Sequence, residues 1–186
     1  MNSLENWFCG SGYWRRITQT KLLPWMLART GLGDRVLEIG AGPGAATEYL
    51  SQRAKSVTSL EYSHKFCVAL HSDAPATKVV QGDASQLPFE DATFSGVIAV
   101  LVLHHLRSKE EQDRAFQEIH RVLKPRGVFV AGEIEENWLT RVAHFRSTFV
   151  PVAPESIAER LEMAGLSSVR VTKRSGGFLI EAVRRD

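Results

Sequence analysis

Short apolar runs alternate with stretches of helical period along most of this chain, the pattern of β-α units wound around a parallel sheet. Arg35-Val36-Leu37-Glu38-Ile39 reads as a strand running into the turn Gly40-Ala41-Gly42-Pro43-Gly44, with a helix starting near Ala45. Residues 57–61, 77–81 and 96–102 supply three more strands, and a helix follows Ser63. The 96–102 run is apolar throughout, as a strand covered on both faces should be. Ser108-Lys109-Glu110-Glu111 is a capping box, and the helix it opens carries Phe116, Ile119 and Leu123 on one stripe. Pro125-Arg126-Gly127 stops that helix, and residues 128–133 form a fifth strand. Pro154 opens a later helix that turns Ile157, Leu161 and Ala164 inward and closes at Gly165. Residues 168–174 and 178–184 are two strands joined by Ser175-Gly176-Gly177, a connection so short that it permits only an antiparallel hairpin. The expected fold is α/β, a doubly wound, Rossmann-like sheet. It is mostly parallel, with one antiparallel strand from the C-terminal hairpin and helices on both faces.

Residues 1–30 differ in kind. They hold three of the four tryptophans, Trp7, Trp14 and Trp25, and predict helices broken at Pro24. They read as a helical cap on a domain spanning residues 31–186. Composition changes this picture little, since 186 residues with 44% hydrophobic and 24% charged positions suit one soluble domain. A net charge of +2 gives no reason to expect a nucleic-acid partner. Cys9 and Cys67 have no metal-ligand spacing, so no metal is expected, and reduced thiols suit the cytoplasm. Residues 1–14 lack a basic segment followed by an apolar one, and the longest apolar run, 96–103, falls far short of the roughly 20 residues that span a bilayer.

The candidate chemistry sits at the C-terminal ends of the strands. Glycines after the first strand let backbone approach a ligand, which suits any nucleotide-like cofactor. A dinucleotide fingerprint survives the glycine spacing, because Ala45 is tolerated as its last position. Glu38, however, ends the strand aimed into the cleft, where it would repel a pyrophosphate and attract a sulfonium or ammonium group. Glu61 ends the second strand, where a carboxylate can accept from ribose hydroxyls, and Gly82-Asp83-Ala84 follows the third, where Asp83 and the Ala84 amide could read an adenine edge. Acids at three successive strand ends are hard to obtain by chance on the edge where such sheets bind ligands.

These residues resemble the class I S-adenosylmethionine-dependent methyltransferases, in their small-molecule type. Val36-Leu37-Glu38-Ile39-Gly40-Ala41-Gly42-Pro43-Gly44 is similar to that family's first motif. Glu61, Gly82-Asp83-Ala84, Leu103-His104-His105-Leu106 and Leu123-Lys124-Pro125-Arg126-Gly127 fall where its later motifs would. The resemblance implies S-adenosylmethionine as cofactor and S-adenosylhomocysteine as product. It implies that Glu38, Gly40, Ala41, Gly42 and Gly44 hold the methionine part and Glu61 the ribose. Tyr62, Asp83 and Ala84 would then meet the adenine, with Val100 and Leu101 closing the other side. Ser95 stands where the family often has aspartate, so the support that residue gives is missing.

Methyl transfer needs mainly alignment, and a base only where the acceptor holds a proton. His104, His105, Glu133 and His144 are the candidates; the apolar neighbours of His105 suit a structural role, and Glu133 also reads as pocket wall. Residues 134–153 leave no room for a substrate domain, so a small-molecule acceptor is expected under the cap, beside His104, His105 and Glu133. Trp14, Arg15, Trp138, Arg141, Phe145 and Arg146 are its expected surroundings. Two other readings stay open: an NAD-dependent oxidoreductase, disfavoured by Glu38 and the lack of Tyr-x-x-x-Lys, and a non-catalytic subunit that binds S-adenosylmethionine.

Overall fold

The computed structural model describes residues 3–74 and 77–186. Seven strands form one sheet: β1 (Arg35–Ile39), β2 (Ser56–Glu61), β3 (Lys78–Gln81), β4 (Phe94–Val100), β5 (Leu123–Ile134), β6 (Leu166–Arg174) and β7 (Gly177–Arg184). Their order is β3-β2-β1-β4-β5-β7-β6, and β7 runs antiparallel to both of its neighbours. This is the doubly wound sheet with one reversed strand that the patterning implies.

Alternation along the strands explains the layers. Leu37, Ile39, Val97, Ala99, Phe129 and Ala131 share one buried cluster with Phe116 and Ile119 of α6 (Lys109–Val122) and Leu161 of α8 (Ile157–Met163). The intervening positions Val36, Ile98 and Val130 join the opposite cluster, with Leu50 of α4 (Thr47–Ser51). Both faces are apolar because both are covered by helices. The opposite cluster also takes Leu23 and Met26, each 0% exposed, from the N-terminal segment.

That segment comprises α1 (Ser3–Cys9), α2 (Gly12–Ile17), a π-helical turn (Thr18–Leu22) and α3 (Leu23–Met26). Pro24 does not break it. Residues 12–26 stay helical, and the wider π turn just before α3 accommodates a ring that would strike a carbonyl in a regular α-helix. The interruption falls at Gly10-Ser11 instead, where Ser11 caps α2 by accepting from the Trp14 amide.

Two strand boundaries also differ from the expected ones. β4 ends at Val100 because Leu101 turns into the left-handed region at φ +52. β5 begins at Leu123, where α6 stops, and Pro125-Arg126-Gly127 forms an irregularity within the extended segment, with Arg126 at φ +62. Ser95 does supply order where aspartate is absent. Its hydroxyl accepts from the Arg35 amide at 2.9 Å and lies 2.9 Å from the Leu32 carbonyl, tying β4 to the entry of β1.

Candidate active site

A cavity of about 860 Å³ opens at the C-terminal ends of β1, β2 and β4, between the glycine turn and the N-terminal helices. Its floor is backbone that only glycine can supply. Gly40 has φ +71, and a Cβ there would lie 2.2 Å from Val102 Cγ2. Gly42, at φ +51, has open space where a side chain would be, while its amide donates to Glu61 Oε2 at 2.8 Å.

Two carboxylates flank this turn. Glu38 is 2% exposed, and its Oε2 accepts from Thr47 Oγ1 and Ser59 Oγ, each at 2.6 Å. Burial pushes its carboxyl above the usual range; the Ser59 and Thr47 hydroxyls oppose that, and the neighbouring Glu61 charge adds to it. Glu61 accepts from the Gly42 amide and, at 2.7 Å, from the Ser63 amide. Tyr62 stands exposed at the rim, its hydroxyl accepting from Arg107 at 2.7 Å. Ala41, Ala84, Val100 and Leu101 also face the cavity.

Three of the expected site residues do not reach it: Asp83 and Gly44 at this end, and Glu133 behind the far wall. Asp83 bends back on its own turn, accepting from the Ser85 amide at 2.8 Å and its hydroxyl at 2.7 Å. Gly44 packs behind the turn, where a Cβ would meet Leu70 Cδ1 of α5 (His64–Asp73) at 2.5 Å.

The opposite wall is built of histidines. Beyond β4 a 3-10 turn (Leu103–His105) presents His104 and His105, and His144 follows α7 (Trp138–Ala143). Ring centroids lie 4.2 Å apart for His104 and His105 and 5.0 Å apart for His104 and His144. Phe149 stacks on His144 at 4.4 Å. Glu133 stands behind this wall and is no part of the cavity surface. It accepts from the Val102 amide at 3.1 Å, the Leu103 amide at 2.8 Å and His104 Nδ1 at 2.6 Å, so it fixes both the turn and the ring. His105 is pushed down to about 4, first by burial and then by His104, against the opposing pull of the Thr148 carbonyl, so its ring is neutral at ordinary pH.

The roof departs from expectation. The capping box of Asn137 and Thr140 sets α7 so that Leu139, Thr140, Ala143 and His144 face the cavity, and Trp138 and Phe145 point outward, 72% and 69% exposed. Arg141 pairs with Glu136, Arg146 lies over Phe145, and Arg15 reaches Glu48 and the Pro43 carbonyl, so none of these cations lines the cavity. Trp14 does, with Phe8, Glu5 and Thr18. The Thr18 hydroxyl is buried with no hydrogen-bond partner among the described residues. Thr18 and Glu5 carried no sequence signal, because only the π turn and the docking of α1 bring them inward.

Residues 37–131 match the methyltransferase domain family. The chain belongs to that family. It is 31% identical over 156 residues to an uncharacterized methyltransferase of Synechocystis, covering 79% of this chain and 73% of the relative. It is 34% identical over 196 residues to the demethylmenaquinone methyltransferase of Mycobacterium tuberculosis, covering 90% and 78%. Its fold is that of a Haloferax volcanii methyltransferase solved in complex with the Trm112 methyltransferase activator, with TM-score 0.78 at 17% identity over 100% and 99% of the two chains. This methyltransferase is therefore an enzyme that uses S-adenosylmethionine, and among its described residues no helix is long and apolar enough to cross a membrane.

Proposed function

We propose that this methyltransferase passes the methyl group of S-adenosylmethionine in line to a small-molecule acceptor held between the glycine turn and the histidine wall. The observation that carries the reading is one continuous cavity with acids and bare backbone at one end and imidazoles at the other. The first end suits a cationic nucleoside: a buried carboxylate at Glu38, open space over Gly42, and a second carboxylate at Glu61. In this reading Glu38, Gly40, Ala41 and Gly42 hold the methionine part, and Glu61 accepts from the ribose. Tyr62, Ala84, Val100 and Leu101 enclose the adenine, while Gly44 and Asp83 shape the turns from behind. The cofactor supplies a methyl group on a sulfonium, which departs as a neutral thioether.

The chain's own task is then alignment and proton control, of which alignment is worth up to about 7–11 kcal/mol. Trp14, Phe8, Leu139 and Ala143 offer an apolar bed to the acceptor. Its reacting atom faces His104 and His105, whose lone pairs can take up a proton when no ion holds them, and Glu133 positions His104. Residues 1–30 act as a cap over a domain of residues 31–186, shielding the transfer from water. Relatives named for demethylmenaquinone, a small molecule, agree with this choice of acceptor class.

The test is transfer of a labelled methyl group from S-adenosylmethionine into small-molecule extracts, alongside calorimetry with S-adenosylhomocysteine. Product in the small-molecule fraction supports the reading. Label found only in protein or nucleic acid refutes the acceptor class, and binding with no transfer to any fraction refutes a catalytic role for the isolated chain.

A further inference from the structure

We propose that His104, His105 and His144, joined by the Glu5 carboxylate, bind one divalent transition-metal ion of the zinc type at the acceptor end of the cavity. One ring nitrogen of each histidine lies within 4.8 Å of the other two, although the residues come from separate pieces of chain, the turn after β4 and the end of α7. Which nitrogen is free is decided behind the rings. His104 Nδ1 is 2.6 Å from Glu133 Oε2, His105 Nδ1 is 3.1 Å from the Thr148 carbonyl, and His144 Nδ1 is 2.7 Å from the Thr140 carbonyl. A carboxylate and two carbonyls can only accept, so each Nδ1 carries the proton and each Nε2 keeps its lone pair. A carboxylate behind one imidazole and carbonyls behind the others is the arrangement that orients histidines toward a metal.

All three rings line the cavity, where an ion could reach them. Glu5 Oε1 lies 3.6 Å from His144 Nε2, and its other oxygen accepts from Ser147 Oγ at 2.9 Å, which holds the carboxylate beside that ring. Zinc–nitrogen bonds of about 2.0–2.1 Å place tetrahedral ligands about 3.3 Å apart. The histidine nitrogens that approach within 4.8 Å of one another thus stand at most about 1.5 Å farther apart than the ligands of one ion, a gap that ring rotation can close. Imidazoles with one carboxylate suit zinc-type ions and disfavour magnesium and calcium, which take oxygen sets. Three imidazoles and one carboxylate fill the tetrahedral set, and an acceptor hydroxyl would reach the ion only by expansion to a fifth position on the cavity side; that clause alone rests on the function proposed above.

Protein stripped with EDTA is titrated with zinc chloride by calorimetry and with cobalt chloride by visible absorption. The expected result is one equivalent of each ion, with the intense bands of four-coordinate cobalt. His105→Ala and His144→Ala should each weaken zinc binding about 100-fold or more, and Glu133→Gln, which keeps every donor, about 10–100-fold. Thermal melts and S-adenosylhomocysteine affinity show whether each variant is folded. Absence of saturable zinc or cobalt binding, or parent-like affinity in folded His105→Ala and His144→Ala, overturns the site. Failure of S-adenosylhomocysteine to bind the parent protein would instead overturn the function proposed above and leave the metal result standing.

Discussion

Glu38→Gln should make the ligand-free protein more stable and the cofactor bind worse. The substitution keeps the shape of the side chain and removes one charge. Both hydroxyl bonds, from Thr47 and Ser59, end on a single oxygen, so an amide oxygen in its place keeps both acceptor contacts. What is lost is charge assistance. Hydrogen bonds to charged groups contribute about 1.5–3 kcal/mol and neutral ones about 0.5–1.5, a loss of roughly 2–3 kcal/mol for the pair. What is gained is relief of burying a carboxylate that is 2% exposed, an effective penalty of several kcal/mol, and relief of repulsion from Glu61. The raised carboxyl pKa fixes the sign, since the fold disfavours the charged form more than water does.

A net gain of about 1 kcal/mol would lift the melting temperature of a chain this size by about 2–4 °C. The gain is pH-dependent. Between the ordinary value of 4.5 and the raised folded value the native state holds more protons than the unfolded chain, so the parent loses stability as pH rises through that window. The variant's advantage should therefore be absent below 4.5 and grow as pH rises through that window to neutral pH. Against a cationic ligand the missing charge should weaken S-adenosylmethionine binding about 10–100-fold. Scanning calorimetry at both pH values and cofactor titration check the two halves. A variant that melts below the parent at neutral pH, or that binds S-adenosylmethionine with parent affinity, would refute the reasoning.

Glu61→Ala should weaken S-adenosylhomocysteine binding by about 1–3 kcal/mol, or roughly 5–150-fold, because it also frees the Gly42 and Ser63 amides. Asp83→Ala should cost less affinity, since it only loosens a turn; calorimetry that ranks the two the other way would contradict the placement of Asp83. His105, near 4 when folded and 6.5 when unfolded, leaves the unfolded chain with more protons between those values, so its contribution to stability is lost as pH falls through that window. Metal-free parent should show about 1–3 kcal/mol more acid sensitivity there than His105→Gln, with equal slopes counting against a neutral folded ring. Deleting residues 1–16 removes Phe8 and Trp14 from the cavity but leaves Leu23 and Met26 in the core, so turnover should vanish while some cofactor affinity stays; full activity would move the acceptor elsewhere.

The fold was legible because it is written locally. Short apolar runs, the Ser108 cap of α6 and a very short hairpin connection each fix one element or one direction, and β-α alternation then leaves few topologies. The acids at the ends of β1 and β2 were legible for the same reason, since the end of a strand is a place that sequence defines. Side-chain direction in turns was not. Asp83 could as well have faced a ligand as its own backbone, and a hydrogen bond to Ser85 decided it. Glu133 could have been wall or base, and packing behind His104 placed it off the cavity surface. The expected cations of the roof, Arg141 and Arg146, were drawn off by Glu136 and the ring of Phe145, competitors invisible in a linear pattern. Most of all, the meeting of His104 and His105 with His144 and Glu5 depends on how α1 and α7 dock over the sheet edge. That docking is set by long-range packing, and no spacing along the chain encodes it.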